Sequence, residues 1–179
     1  LGAFKGEDKL LVITQDGIVR TITPELTTHF EDNMIVLEKW NPKKPVSAIY
    51  YNGEKKLYYV KRFIIEQPDK EESFISDHQD SFLELVTTHW LPRVEIEFVK
   101  ERGKDRKPSQ ELALEEFIAV KGINAIGNQL TKGKVKQVNL LEPYPYEEPE
   151  EVKPEDMEVN DEQELSNPSD MKSDPTLFD

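Results

Sequence analysis

KLLVITQDGIVRTI, residues 9–22, decides how the rest of the chain is read. Leu10, Leu11, Val12 and Ile13 form one short apolar run, Ile18, Val19 and Ile22 populate a second, and β-branched residues are enriched in both, as in strands. Asp16-Gly17 stands between the runs. A tight hairpin turn needs positive φ, which glycine adopts without a Cβ clash and aspartate tolerates, so the stretch reads as a β-hairpin. Two later stretches repeat the pattern: Leu57-Tyr58-Tyr59-Val60 leads through Lys61-Arg62 into Phe63-Ile64-Ile65, and Phe117-Ile118-Ala119-Val120 leads through Lys121-Gly122 into Ile123 to Ile126. The starts at Leu10, Leu57 and Phe117 lie about 50 to 60 residues apart, at or slightly above the roughly 40–50 residues of one propeller blade. Three related β units are expected.

Between these units the sequence predicts further short strands. Residues 34–37 are compactly apolar, and residues 46–51 run into Asn52-Gly53, a second strong hairpin dipeptide. Residues 82–87 and 135–141 read as strands, and residues 93–100 alternate: Val94, Ile96 and Phe98 share one face while Glu95 and Glu97 point away, the mark of a strand buried on one side. Residues 111–117, ELALEEF, have the length of about two helical turns. They pass directly into Ile118-Ala119-Val120 and are read as extended. Many short strands with turn signals and no long helix predict an all-β repeat architecture.

Charge divides the chain. Of 36 acidic residues, 14 lie in residues 142–179, where the only bases are Lys153 and Lys172, so nearly all of the net charge of −13 belongs to this stretch. It also carries Pro143, Pro145, Pro149, Pro154, Pro168 and Pro175 and little apolar surface, so ordering it would cost more conformational entropy than packing returns. Residues 1–141 are therefore expected to form one domain, and residues 142–179 an acidic tail, disordered or strapped loosely to the domain, that either competes electrostatically with an anionic ligand of the domain or serves as a solubilising spacer. The strongly negative overall charge does not argue against nucleic-acid binding by residues 1–141, whose charges nearly cancel and can be segregated by face.

Several function classes are disfavoured. The absence of cysteine excludes disulfides and thiolate metal sites. No apolar run approaches the ~20 residues of a membrane span, so no membrane partner is expected and a cytoplasmic location is. His29, His78 and His89 are scattered without metal-binding spacing, and no glycine-rich phosphate loop of known type occurs. No catalytic residue, metal or cofactor is assigned to this chain, and its first residue, Leu1, suggests a fragment of a longer protein.

The positive residues cluster in loops and at turn edges: Arg20; Lys39, Lys43 and Lys44; Lys55, Lys56, Lys61 and Arg62; Arg102, Lys104, Arg106 and Lys107; Lys121; and Lys132, Lys134 and Lys136. If the units are wound about a common axis, equivalent edges recur at similar radius and the clusters form a basic belt suited to a phosphate backbone.

LLVITQDGIVRTI resembles the blade-opening pattern in the C-terminal domain of bacterial type IIA DNA topoisomerase A subunits, those of DNA gyrase and topoisomerase IV. The run Leu114-Glu115-Glu116-Phe117-Ile118-Ala119-Val120-Lys121-Gly122-Ile123-Asn124-Ala125-Ile126-Gly127-Asn128-Gln129-Leu130 is similar to another segment of these domains and is the most specific match. The resemblance implies a β-pinwheel, a propeller-like disc whose rim binds and bends duplex DNA, here of about three units and possibly open. It also implies a parent that changes DNA topology with ATP and magnesium, together with the rest of the A subunit and an ATPase B subunit. The catalytic tyrosine of such an enzyme lies in another region; Tyr58 and Tyr59 have no matching surroundings. The glutamine-, arginine- and glycine-rich box of gyrase is missing, which favours topoisomerase IV-like bending over full wrapping. An interaction platform for proteins, without DNA binding, is the alternative, because fold alone does not choose between them.

Overall fold

The computed structural model describes residues 3–25 and 29–149. In chain order the elements are β1 (Leu10–Thr14), β2 (Ile18–Ile22), β3 (Met34–Lys39), β4 (Val46–Asn52), β5 (Leu57–Phe63), β6 (Glu72–Ser73), β7 (Phe82–Thr87), β8 (Arg93–Phe98), β9 (Gln110–Ala113), one helical turn α1 (Leu114–Phe117), β10 (Val120–Lys121), β11 (Asn128–Gln129) and β12 (Val135–Leu141). They build three sheets: a first of order β3-β1-β2-β6, a second of order β10-β5-β4-β7 with β11 also on β5, and a third of order β12-β8-β9. Among the described residues every strand pairing is antiparallel except β10 on β5, and no sheet closes on itself. This is the expected all-β class in the form of an open pinwheel. Among the described residues no helix is long and apolar enough to cross a membrane.

The opening hairpin forms as read. Leu10 to Ile13 pair with Ile22 to Val19, and Gly17 carries φ +77° with its N–H on the Thr14 carbonyl. A Cβ at Gly17 would stand 2.7 Å from the Ile75 side chain, so glycine serves both the turn and the packing over it. Strand β1 lies between β2 and β3 and is buried along its whole length, which its unbroken apolar run requires. Strand β8 alternates buried and half-buried residues, as its Val94/Ile96/Phe98 pattern predicts.

The second and third units differ from the sequence reading. Lys61-Arg62 is not a turn: β5 runs unbroken through it, because each residue from Leu57 to Phe63 faces a partner on β4. The hairpin of the second sheet is β4–β5. Its loop closes through the Lys56 N–H on the Asn52 carbonyl, with Asn52 Oδ1 accepting the N–H groups of Glu54 and Lys55. Asn52-Gly53 thus marks the turn through the asparagine side chain, and the positive φ falls on Lys56. Phe117 to Ile126 form no hairpin of their own, because β10 and β11 both pair with β5. The third sheet is built by β8, β9 and β12. ELALEEF divides between the extended β9 and the turn α1, which tucks Leu114 fully into the core.

The second sheet is packed on both faces. Val46, Ala48 and Phe63 join Leu11, Ile13 and Val19 of the first sheet, together with Ile65 and Phe74, in one core. Ile49 and Val60 join Val94, Ile96, Phe98 and Val138 of the third sheet, with Leu114, Ile118 and Leu130, in the other. The chain also sews the sheets together. After β5 it returns to the first sheet as β6, and after β9 it returns to the second as β10 and β11 before closing the third as β12. Beyond β12 the Tyr144 N–H bonds the Leu91 carbonyl and the Tyr146 ring stacks on Trp90 at 4.5 Å. The acidic tail expected over residues 142–179 lies outside the described residues from position 150 on.

Candidate nucleic-acid interface

Pairing of β8 with β12 sets Phe98 against Val135, and one further bond, Val99 N–H to the Lys134 carbonyl, brings the loop after β8 beside the loop before β12. Two basic stretches distant in sequence thereby share a surface. Glu101 accepts from both Lys104 and Lys134, at 2.5 and 3.1 Å, and Glu97 lies 3.9 Å from Arg106 and 3.7 Å from Lys136. Lys107 crosses the Phe98 ring with its Nζ 4.1 Å from the centroid. It passes over Gly133, where a Cβ would meet that ring at 2.7 Å.

The hydrogen bonds from Lys104 and Lys134, and their positive charges, hold the Glu101 carboxyl down to about 2. Gln137 and Asn139 donate to Glu97 and, with Lys136 and Arg106 nearby, lower it as well. Each carboxylate thus stays ionised and spaces a pair of cations. Lys104, Arg106, Lys134 and Lys136 remain more than half exposed in these pairs. Exposed ion pairs are individually weak and readily exchanged for a phosphate oxygen.

The same surface extends to the second sheet. A groove of about 250 Å³ runs between Tyr51, Lys56, Leu57 and Tyr58 on one side and residues 131–135, including Lys132 and Lys134, on the other. Lys55 and Arg102 stand exposed in the adjoining loops. The sequence reading missed the aromatic side of this groove, Tyr51 and Tyr58, which Phe82 extends beyond the lining. Tyr58, Tyr51 and Phe82 are consecutive cross-strand neighbours on β5, β4 and β7, with the Phe82 ring stacked on Tyr51 at 5.2 Å and edge-on to Tyr58 at 6.1 Å. The available signal was the aromatic content of all three strands; the register that aligns them is a tertiary fact.

Other expected contacts lie elsewhere. Lys39 pairs with Asp8, Lys44 with Glu38, and Arg20 with Glu31 and Glu71, all around the first sheet; Lys43 is exposed in the loop between β3 and β4. Lys121 is exposed on the short strand β10.

Lys61 and Arg62 do not belong to the surface, because each is only 4 % exposed. Lys61 Nζ donates to the carbonyls of Ile123 and Ala125 at 2.6 and 3.0 Å, and Arg62 donates to Ser47 Oγ and the Trp90 carbonyl. Desolvation lowers the Lys61 ammonium to about 8 and lowers Arg62. Their donors are spent inside the fold.

The segment that carries the most specific resemblance is therefore a latch on β5. Val120 and Lys121 pair with Arg62 and Phe63, the chain loops over the Lys61 ammonium, and Asn128 and Gln129 return against Val60 and Tyr59. The Tyr50 hydroxyl, driven up to about 12 by burial, donates to the Ile126 carbonyl at 2.8 Å. Gly127 has φ +91°, and a Cβ there would lie 2.2 Å from the Val60 carbonyl oxygen.

His78 Nδ1 accepts the Asp80 N–H in a turn, and His29 and His89 are exposed. Among the described residues no group of three or more histidine, aspartate or glutamate side chains converges as a metal site would. No curated protein matches the chain. Residues 1–142 match a protein family described as the topoisomerase C-terminal domain of Bacteroidota.

Proposed function

The chain belongs to the topoisomerase C-terminal domain family of Bacteroidota, and from that premise we propose that it binds and bends duplex DNA beside the catalytic core of a type IIA enzyme. The observation that carries the reading is the convergence of Lys104, Arg106 and Lys107 with Lys132, Lys134 and Lys136 where the third sheet meets the second. The cations are exposed, spaced by ionised carboxylates and mounted on the ends of paired strands. Such a surface meets successive phosphates and supplies no base-specific donors of fixed geometry, so the binding it supports is independent of sequence.

In this reading the parent is an A subunit of topoisomerase IV or gyrase type in the cytoplasm, working with an ATPase B subunit. ATP and magnesium are used by parts of the assembly other than this domain, which positions DNA. The resemblance of residues 114–130 to A-subunit domains supports the assignment. In the structure those residues supply the latch on β5, and their Leu114, Ile118 and Leu130 join the core between the second and third sheets.

Titration of a fluorescent duplex against the chain at several salt concentrations tests the proposal. Log affinity is expected to fall linearly with log salt as counterions leave the phosphates, by about 0.9 per phosphate neutralised. Joint reversal of Lys104, Arg106 and Lys107 to glutamate is expected to weaken binding at least about tenfold, through loss of phosphate contacts and added repulsion. Glu95→Lys, on the same sheet, is expected not to weaken it. Affinity indifferent to salt and to the triple reversal would overturn the reading; salt-resistant capture of a protein without DNA binding would support the interaction platform instead.

A further inference from the structure

The groove between Tyr51/Tyr58 and residues 131–135 has a chemistry that duplex backbone binding leaves unused. A duplex presents phosphates at its surface and keeps its base faces stacked inside, so lysines alone meet it. Here three lysines, Lys56, Lys132 and Lys134, surround a wall of aromatic and aliphatic surface. Leu57 on that wall is 37 % exposed, and Phe82, which extends the aromatic row, is 44 % exposed. Cross-strand pairing fixes the row: Tyr58 opposes Tyr51, and Tyr51 opposes Phe82. Cross-strand aromatic contacts of this kind hold the rings in place and leave little side-chain entropy to be lost when a flat ligand settles on them.

Lysines around a rigid aromatic platform form the combination that tracks a nucleic-acid strand while stacking its bases. We propose that this groove binds an unpaired DNA strand, with bases laid against the Tyr51–Tyr58–Phe82 row and phosphates on Lys56, Lys132 and Lys134. The inference rests on the DNA-binding reading for its polymer and adds a second mode at a neighbouring place. The duplex lies across the basic surface led by Lys104, Arg106 and Lys107 and shares Lys132 and Lys134 with the groove, which a locally melted strand enters. Lys134 borders both regions, since it bonds Glu101 on one side and lines the groove on the other. A domain with both modes binds most tightly to duplex carrying a single-stranded stretch.

The experiment uses the full chain with three fluorescent probes: a blunt duplex, a thymidine 12-mer, and a 12-mer of the same backbone without bases. Wild-type chain is expected to bind the thymidine strand at least about tenfold more tightly than the abasic one, the effect of one or two stacked bases. Phe82→Ala is expected to weaken the thymidine strand and leave the blunt duplex unchanged, while joint reversal of Lys104, Arg106 and Lys107 has the opposite bias. Amide shifts on adding the thymidine strand should concentrate at residues 51, 57, 58, 82 and 131–135.

Equal affinity for the thymidine and abasic strands would overturn the proposal, because the bases would then contribute nothing; that comparison needs no variant to fold. Failure of the thymidine strand to bind while the duplex binds would also overturn it and leave the duplex reading standing. Binding of the thymidine strand without the duplex would do the reverse.

Discussion

The Nζ of Lys61 lies 2.6 Å from the carbonyl oxygen of Ile123, inside a loop whose flanks are both hydrogen-bonded to the strand that carries the lysine. Lys61 is thus the plug of the latch between β10 and β11, and its Nζ lies 5.5 Å from the centroid of Phe63, a member of the core between the first and second sheets. Lys61→Met keeps the stem and removes the donors. It is expected to lower stability by about 1–3 kcal/mol, the cost of leaving half-buried carbonyls unpaired, with faster amide exchange over residues 123–127. Unchanged denaturation midpoints and exchange would contradict the plug.

The same lysine sets a pH dependence. Burial lowers its ammonium to about 8, whereas the unfolded chain holds the proton up to the ordinary 10.5. Between those values the unfolded state binds more protons, so this group makes the fold more stable as pH rises from about 8 towards 10.5. Below 8 it contributes no slope. Stability curves of wild type and Lys61→Met over that window are expected to differ by this upward component, and parallel curves would place the titration elsewhere.

Gly127→Ala tests the latch without altering charge. The residue has φ +91° and its added Cβ would stand 2.2 Å from the Val60 carbonyl oxygen, so the strand and loop must separate. A loss of about 2 kcal/mol or more is expected from the strained backbone and the displaced pairing. Gly103→Ala is a useful contrast: it shares a positive φ, but nothing lies within 4 Å of the added atom, so its loss should be smaller.

Glu101 is expected to titrate near 2 in a side-chain carboxyl NMR experiment, in place of its ordinary 4.5. A depressed carboxylate stabilises the fold above its unfolded value, so this contribution is complete above about 4.5 and disappears as pH falls towards 2. Glu101→Gln removes the negative charge between Lys104 and Lys134. Duplex affinity at low salt is expected to rise several-fold, and the gain should shrink at high salt as the charge is screened.

Lys61 and Arg62 also separate stability from binding. Arg62→Met is expected to cost about 1–3 kcal/mol by unpairing Ser47 and the Trp90 carbonyl, and to leave the duplex affinity of the folded protein unchanged. Weaker binding at full folding would show that a surface path to this guanidinium exists.

Parts of the fold were legible in the residues because they depend on near neighbours. Asp16-Gly17 between two apolar runs specified the first hairpin, and the two-residue alternation of Val94, Ile96 and Phe98 specified a strand with one buried face. Lys61-Arg62 was misread for an equally physical reason. Two charged residues between apolar runs look like a turn, and only carbonyls and a hydroxyl far along the chain make them tolerable inside a strand. The third unit failed in the same way, since the partner of residues 120–129 is the edge of β5 and nothing in the segment itself names that edge.

The amino-acid sequence by itself determined the all-β class, the first hairpin and the basic character of the loops, because turn chemistry and side-chain alternation act over a few residues. Tertiary structure alone decided which cations face solvent and which sit in the core, and which basic loops and tyrosines share one groove. Burial and convergence are set by strand register between distant segments, and a buried lysine holding a carbonyl is spelled no differently from one awaiting a phosphate.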